Sequence, residues 1–165
     1  MSDYPQPLAL FYSYSHKDEI YREKLEEALA LLKRQGHIKP WTDRNITAGS
    51  DWRGQIDQNL EAADIVLLLV SASFIASDYC YDVEMKRALE RDGQGARVIP
   101  ILLKPCEWRE TPLKNLQALP KDGKPVVDWP TADHAFDDIA KGLRRVIEEI
   151  RNPTPAPPPT GSGRG

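Results

Sequence analysis

The stretch from Asp64 to Leu89, DIVLLLVSASFIASDYCYDVEMKRAL, decides the fold of this chain. It begins with six consecutive apolar residues at positions 65–70, a pattern typical of a strand buried on both faces of a parallel sheet. After a short polar connection, a helix is predicted from about Tyr79 to Arg91, with Glu84 in its first turns. Ligand sites of open parallel sheets lie beyond the carboxyl ends of the strands. We therefore expect any chemistry of this chain around Glu84.

Strand and helix patterns alternate on both sides of this stretch. Apolar runs predict further strands at 8–12, 38–42 and 98–103 and a short fifth strand at 126–127. Amphipathic helices are predicted between these runs and at the end of the folded part. Parallel strands joined by helices require right-handed crossovers and a sheet that is covered on both faces. The predicted fold is α/β, a flavodoxin-like three-layer sandwich with a five-stranded parallel sheet in the order 2-1-3-4-5.

Length and composition narrow the class of protein. A chain of 165 residues suits one domain, and a net charge of −3 gives no electrostatic case for binding nucleic acid or an anionic membrane. The longest apolar run is too short to span a bilayer, and the first residues lack a signal-peptide pattern. Two cysteines and three histidines have no metal-ligand spacing. We expect a cytoplasmic protein without a metal site or a resident cofactor.

The last residues differ in character from the rest. Residues 153–165, PTPAPPPTGSGRG, contain five prolines and three glycines and no large apolar side chain. Such a segment cannot bury enough surface to offset the entropy lost on ordering. We therefore predict a folded domain over residues 1–152 and a linker or frayed tail over 153–165. A linker implies a further domain, so another domain is expected beyond it.

Polar and aromatic residues gather at the predicted strand ends, and each of them also has a purely structural explanation. Ser15 suits a helix cap, Glu84 complements a helix dipole, and Cys80 suits a small buried side chain. No phosphate-binding loop, dinucleotide fingerprint or nucleophile elbow is present. Composition and spacing alone thus predict a domain and no reaction. The gathered residues are Tyr14, Ser15, Asp43, Trp52, Ser71, Ser73, Tyr79, Cys80 and Glu84.

The order of several short segments resembles the Toll/interleukin-1 receptor (TIR) domains, in a bacterial variant. The resemblance extends from about Leu8 to Ile150, and the order and spacing of the segments carry it more than any one of them. The segments are LFYSYS at 10–15, WTD at 41–43 with AGSDW at 48–52, SASF at 71–74, SDYCYDVE at 77–84, VIPI at 98–101 and WP at 129–130.

Many TIR domains of this type cleave NAD at the bond between nicotinamide and ribose, and the resemblance implies that NAD is the substrate here. It places the essential glutamate of the family at Glu84. The family carries an aromatic residue four positions before this glutamate, where this chain has Cys80, so the aromatic wall comes from Tyr79 or from Tyr81. The implied substrate-binding residues are Tyr14, Ser15, Asp43, Trp52, Ser71, Tyr79 and Cys80.

The resemblance also implies self-association, because a neighbouring protomer's BB loop helps to complete the site in this family. The corresponding loop consists of Arg44, Asn45, Ile46, Thr47, Ala48, Gly49, Ser50 and Asp51. The leading hypothesis is an NAD glycohydrolase that acts as an effector in antiphage defence or signalling. The alternatives are a non-catalytic TIR–TIR interaction module and a domain that senses a nucleotide without cleaving it.

Overall fold

Four parallel strands form the sheet in the described part of this computed structural model, which comprises residues 6–41 and 58–152. The strands lie side by side in the order β2-β1-β3-β4, which confirms the predicted order of the first four strands. At the carboxyl end of β1, Phe11 lies opposite Trp41 of β2, and Ser13 lies opposite Leu68 of β3. The bounds are β1 Leu8–Ser13, β2 Ile38–Trp41, β3 Ile65–Val70 and β4 Arg97–Leu102.

The central strand β3 is buried on both faces, as its unbroken apolar run predicts. All six of its side chains have an exposed fraction of 0%. Successive side chains point to opposite faces of a strand, so β3 contributes to two separate cores. Residues 65, 67 and 69 belong to one core, and residues 66, 68 and 70 belong to the other. The chain is thus a three-layer α/β structure with a parallel sheet in the middle.

Helices cover both faces of the sheet. Helices α1, α2 and α5 contribute buried side chains to one core, while residues 58–62, α3, the π-helix and α4 contribute to the other. The last helix is amphipathic, as predicted. Of its predicted apolar stripe, Phe136, Ile139, Leu143 and Ile147 are buried, while Ala140 and Ile150 are half-buried. The bounds are α1 Glu19–Ala28, α2 Ala30–Arg34, α3 Ala72–Ala76, a π-helix Asp78–Met85, α4 Lys86–Arg91 and α5 Ala132–Arg151.

The segment after β3 differs from its prediction in two ways. The expected short connection contains a helix, α3, which is capped by the Ser71 hydroxyl accepting a hydrogen bond from the Phe74 amide at 3.1 Å. The predicted helix from Tyr79 to Arg91 begins at Asp78 and has π-helical geometry up to Met85. Only its last turns are α-helical.

The predicted fifth strand at 126–127 is wrong, since Val126–Asp128 forms a 3-10 turn. The Asp128 amide donates to the Pro125 carbonyl at 2.9 Å, which closes the chain into a turn. A run of two apolar residues next to a proline is too short to hold a strand against this local alternative. The edge of β4 is instead bridged by one residue, Leu119, which pairs with Ile101 in parallel.

Several predictions fall on residues 42–57 and 153–165, which lie outside the described residues. They concern Asp43, Trp52, the BB loop and the linker, and all of these stay predictions. Within residues 6–41 and 58–152, no helix is long and apolar enough to cross a membrane.

Candidate active site

A cavity of about 320 Å³ opens beyond the carboxyl ends of β1 and β2. This is where an open parallel sheet places its ligand sites, and the volume lies in the range of small-molecule pockets. Five of the residues predicted for the site line it together: Tyr14, Ser15, Tyr79, Cys80 and Glu84. Among the residues that the structure describes, the others that line the cavity are Phe11, Tyr12, His16, Lys17, Trp41 and Ser77.

Glu84 lies in the wall of this cavity and is held from the end of β1. Its side chain lies in the second half of the π-helix, and the residue has an exposed fraction of only 5%. The hydroxyl of Ser13, itself 1% exposed, donates a hydrogen bond to Glu84 Oε1 at 2.6 Å. A short bond to a carboxylate is stronger than a neutral one, so this contact fixes the direction of the carboxyl group. Glu84 is therefore buried, oriented and in contact with the cavity.

The π-helix that carries Glu84 starts from a capped end. The Ser77 hydroxyl accepts a hydrogen bond from the Cys80 amide at 3.1 Å, and the Ser77 carbonyl accepts one from the Tyr81 amide at 2.9 Å. In a π-helix, each turn contains more residues than in an α-helix, and such segments occur often at functional sites. Cys80 and Glu84, four positions apart on this helix, both line the cavity.

Aromatic side chains form much of the cavity wall. Tyr79 lines the cavity and Tyr81 is not among its lining residues, so of the two predicted candidates the structure places Tyr79 there. The rings of Phe11 and Trp41, which also line the cavity, stack with their centroids 5.4 Å apart and their planes 8° from parallel. These flat apolar faces suit an aromatic ring of a ligand.

Tyr14 is held in place by charged neighbours on α1. Its hydroxyl donates to Glu19 Oε1 at 2.9 Å, and the Arg22 guanidinium lies 5.7 Å from the centre of its ring. Arg22 in turn pairs with Glu19, and its own exposed fraction is 1%. The orientation of Tyr14 is thereby fixed, so its ring is a preformed part of the cavity wall.

Cys80 stands beside Glu84 as a neutral thiol. Its sulfur donates to the Tyr14 carbonyl at 3.3 Å. Burial raises the pKa of the thiol to about 11, and the nearby Glu84 raises it further, while hydrogen bonds from Ser77 and Ser13 act in the opposite direction. Since the thiolate is the nucleophilic form of cysteine, Cys80 is suited to shaping the cavity and not to attacking a substrate at neutral pH.

The rim of the cavity near α1 is polar and basic. The predicted cap at Ser15 is confirmed, because its hydroxyl accepts a hydrogen bond from the Lys17 amide at 3.2 Å. This bond starts the 3-10 turn His16–Asp18, which exposes the side chains of His16 and Lys17 at the rim. The turn thus presents one ammonium group and one imidazole next to an otherwise aromatic cavity.

Ser71 is the predicted site residue that the structure places elsewhere. It caps α3 with an exposed fraction of 1%, and its hydroxyl donates to Asp18 Oδ2 at 2.5 Å. It is not among the residues lining the cavity. Asp18 is completely buried, and Lys104 Nζ lies 3.5 Å from Asp18 Oδ1. This cluster ties the turn after β1 to the end of β3.

Six of the described residues that line the cavity were not predicted from the sequence: Phe11, Tyr12, His16, Lys17, Trp41 and Ser77. Ser13 was not predicted either; it is not among the lining residues but holds Glu84, and the signal for it was its position as the polar residue that ends an apolar strand. Trp41 ends β2 in the same way, while His16 and Lys17 follow directly after the predicted Ser15. Within the described residues, no group of three histidine, cysteine or carboxylate side chains is placed to hold a metal ion.

Comparison with known proteins identifies the family. The TIR-domain family profile matches residues 10–141, most of the chain. The Sinorhizobium fredii protein y4lF, described as uncharacterized, is 51% identical over 151 residues, which cover 91% of this chain and 47% of that protein. This chain therefore spans about half the length of that curated relative.

A solved structure agrees with this family assignment. The crystal structure of the TIR domain of the Toll-related receptor TRR-2 from Hydra magnipapillata matches with a TM-score of 0.56 and 25% sequence identity. The match covers 87% of this chain and 98% of that chain. The family that the ordered segments indicated is thus confirmed, and the chain belongs to the TIR-domain family.

Proposed function

We propose that this TIR domain is an NAD glycohydrolase, which breaks the bond between nicotinamide and ribose. The observation that carries the proposal is the position of Glu84, a carboxylate held by Ser13 in the wall of an aromatic cavity at the carboxyl end of the sheet. The products are nicotinamide and either ADP-ribose or its cyclic isomer.

The reaction needs few groups from the protein. In NAD the nicotinamide ring is a cationic pyridinium, and it leaves as a neutral molecule that keeps the electron pair of the broken C–N bond. No general acid is required for this departure. The ribose carbon left behind acquires oxocarbenium character, as in glycoside hydrolysis. Attack by water, which loses a proton, gives ADP-ribose, while attack by an adenine nitrogen gives the cyclic isomer.

Glu84 supplies the negative charge for this step. A fixed carboxylate near the ribose stabilises the positive charge that develops there and accepts hydrogen bonds from the ribose hydroxyls. Its exposed fraction of 5% keeps most water away, and an electrostatic interaction is stronger where water is excluded. Ser13 contributes by holding the carboxyl group in one direction.

The other cavity residues fit the remaining parts of the substrate. Tyr14 and Tyr79 offer aromatic faces for the nicotinamide ring. Lys17 and His16 line the rim of the cavity, and their nitrogen groups suit a phosphate group that extends from the ribose. The roles assigned to Asp43 and Trp52 stay predictions.

Activity is proposed to depend on self-association through the loop 44–51, and the biological role is proposed to be antiphage defence or signalling. The relative from Sinorhizobium fredii is about twice as long as this chain. A full-length protein with a further domain that brings TIR domains together is consistent with that length. Association in such a protein would raise turnover by completing each site.

A second candidate function is a TIR–TIR interaction module without catalysis. One observation favours it: Glu84 is almost fully buried and bonded to Ser13, so it also serves as a structural tie between the π-helix and β1. In that case the cavity would bind no dinucleotide, and replacing Glu84 would change stability alone.

The proposal is tested by incubating purified protein with NAD at several protein concentrations and identifying the products by chromatography. We expect nicotinamide together with linear or cyclic ADP-ribose, and a rate per protomer that rises with protein concentration. Glu84→Gln is expected to lose this activity, and its matched control is Glu90→Gln, because Glu90 is an exposed glutamate that pairs with Arg87 on α4, outside the cavity lining. Intact NAD after long incubation at high, enforced local concentration would favour the interaction module.

A further inference from the structure

The turn at the rim of the cavity ends at a carboxylate that is not itself part of the cavity lining. The 3-10 turn His16–Asp18 carries His16 and Lys17 at the rim. The turn is closed by the Asp18 amide, which donates a hydrogen bond to the Ser15 carbonyl at 2.8 Å. The Asp18 residue has an exposed fraction of 0%. The position of the rim is therefore linked to the groups that hold the Asp18 carboxylate.

The two oxygens of this carboxylate have different partners. Oδ2 accepts the hydrogen bond from the Ser71 hydroxyl at 2.5 Å. Oδ1 is buried and has no hydrogen-bond partner among the residues that the structure describes. Lys104 Nζ lies 3.5 Å from it, at ion-pair distance. A buried charge is costly unless an opposite charge compensates it, and the ammonium group of Lys104 does so here.

Lys104 is held in this place from two sides. The residue before it, Leu103, is completely buried, and its amide donates to the Val70 carbonyl at 2.9 Å, which fixes the backbone just beyond β4. The ammonium group also lies 5.3 Å from the centre of the Tyr21 ring on α1, a cation–π contact. The side chain of Lys104 is 42% exposed, so a cation at the surface compensates a carboxylate in the interior.

Removing this positive charge leaves a buried carboxylate with one oxygen unpartnered. The chain can relieve the cost by moving Asp18 towards water. Because the Asp18 amide closes the 3-10 turn, this movement opens the turn and displaces Lys17 from the rim.

We infer that Lys104 is a positioning residue for the rim of the cavity, and that it acts through Asp18. Its effect on NAD rests on the proposed function, but its effect on the turn does not. Lys104 lies outside the cavity lining, so it contacts the substrate at no point and controls only where the turn stands.

The direct test is amide hydrogen exchange at Asp18, measured by NMR in Lys104→Met. Methionine keeps an unbranched side chain and removes the charge. The Asp18 amide is expected to exchange at least about tenfold faster, because an open turn lacks its bond to Ser15. The reference is the Leu29 amide at the far end of α1, which donates to the Leu25 carbonyl at 2.9 Å and should change by less than about twofold.

Three further variants serve as controls. Lys104→Arg keeps the charge and should restore the slow exchange. Lys124→Met should leave the exchange unchanged; it is the matched control, because the Lys124 ammonium group also lies over an aromatic ring, 5.8 Å from the centre of Trp129 and outside the cavity lining. In an Asp18→Asn background, Lys104→Met should have no further effect, since no buried charge remains to be compensated. If Lys104→Met alone fails to fold by circular dichroism, the double variant is expected to fold, and an unfolded double variant would overturn the inference.

The outcomes separate this inference from the proposed reaction. Unchanged exchange at Asp18 in Lys104→Met, equal acceleration at Leu29, or the same effect in the Asp18→Asn background would overturn it even if NAD is cleaved. Faster exchange confined to the turn would support it even if NAD is not cleaved. Where NAD is cleaved, Lys104→Met is also expected to raise the KM for NAD by about tenfold and to leave kcat within about twofold, since Glu84 lies outside the turn. A lower kcat with an unchanged KM would contradict a role at the rim.

Discussion

Replacing Ser13 with alanine removes the hydrogen bond that orients the Glu84 carboxylate. Both residues are buried, with exposed fractions of 1% and 5%, and the bond measures 2.6 Å. A hydrogen bond to a charged group contributes about 1.5–3 kcal/mol to stability. For a domain of this size, each kcal/mol changes Tm by about 2–4 °C. Ser13→Ala is therefore expected to lower Tm by between about 3 and 12 °C.

The same substitution is expected to slow NAD cleavage without changing NAD binding. Ser13 acts on the substrate only through Glu84, so losing the bond allows the carboxylate to turn away from the ribose. A comparable loss of transition-state stabilisation, about 1.4–2.7 kcal/mol, corresponds to a 10- to 100-fold lower kcat. The KM for NAD is expected to stay within about twofold, because the aromatic and basic groups of the cavity are unchanged.

A double-mutant cycle with Glu84→Ala tests this reasoning by thermal or urea unfolding. If the bond carries the effect, Ser13→Ala costs much less in the Glu84→Ala background than in the parent. Glu84→Gln serves as a control, since its amide oxygen can still accept the Ser13 hydrogen and should preserve most of the stability. Equal costs of Ser13→Ala in both backgrounds would refute the assigned coupling.

Three further predictions follow from buried polar groups. Ser71→Ala removes both the cap of α3 and the hydrogen bond to Asp18, and should lower the free energy of unfolding by about 2–4 kcal/mol. A loss below about 1 kcal/mol, measured by urea unfolding, would contradict the stabilising role assigned to these two bonds. Tyr12→Phe should leave stability unchanged or raise it by about 1 kcal/mol, because the buried hydroxyl has no hydrogen-bond partner within the described residues; a clear loss in the same assay would mean that the hydroxyl has a partner. Burial holds the Cys80 thiol pKa at about 11 in the folded chain, above the ordinary 9.0, so its contribution to stability is complete below about pH 9 and is lost as the pH rises towards 11. Cys80→Ala should remove this dependence, so the Tm difference between parent and variant should shift between about pH 8 and about pH 10.5; a constant difference would argue against the raised pKa.

The central strand and the position of Glu84 were predictable because their signals are local. Six consecutive apolar residues at 65–70 leave few alternatives to a buried parallel strand, and every side chain there is fully buried. Polar residues that follow a strand indicate the edge of the sheet where ligands bind, and Glu84 lines a cavity at that edge. The resemblance to the TIR family was needed to select Glu84, and not a neighbouring residue, as the essential glutamate.

Other features depend on competition between local backbone conformations, which the sequence pattern does not reveal. Val126 and Val127 have strand-forming side chains, but Pro125 before them and the turn bonds to Asp128 and Trp129 favour a 3-10 turn. A π-helix differs from an α-helix in which carbonyl each amide selects, so both have nearly the same apolar pattern. For that reason the widened turn from Asp78 was not predicted.

The partners of buried polar side chains were the hardest features to predict. Ser13 and Glu84 are 71 residues apart in the sequence, and only the pairing of β1 beside the π-helix brings them together. Ser71 was assigned to substrate because it follows the central strand, but its hydroxyl is directed to Asp18, which lies 53 residues earlier. Such contacts are set by tertiary packing and not by any local spacing.

The most direct test of the central claim is the initial rate of nicotinamide release from NAD by Glu84→Gln, relative to the parent at equal concentrations of folded protein. The substitution keeps the size of the side chain and an acceptor for Ser13, but removes the negative charge from the cavity. We predict a rate at least about 100-fold below that of the parent, comparable to the loss of a main electrostatic contact in other active sites. An unchanged rate from a folded Glu84→Gln protein would contradict the account.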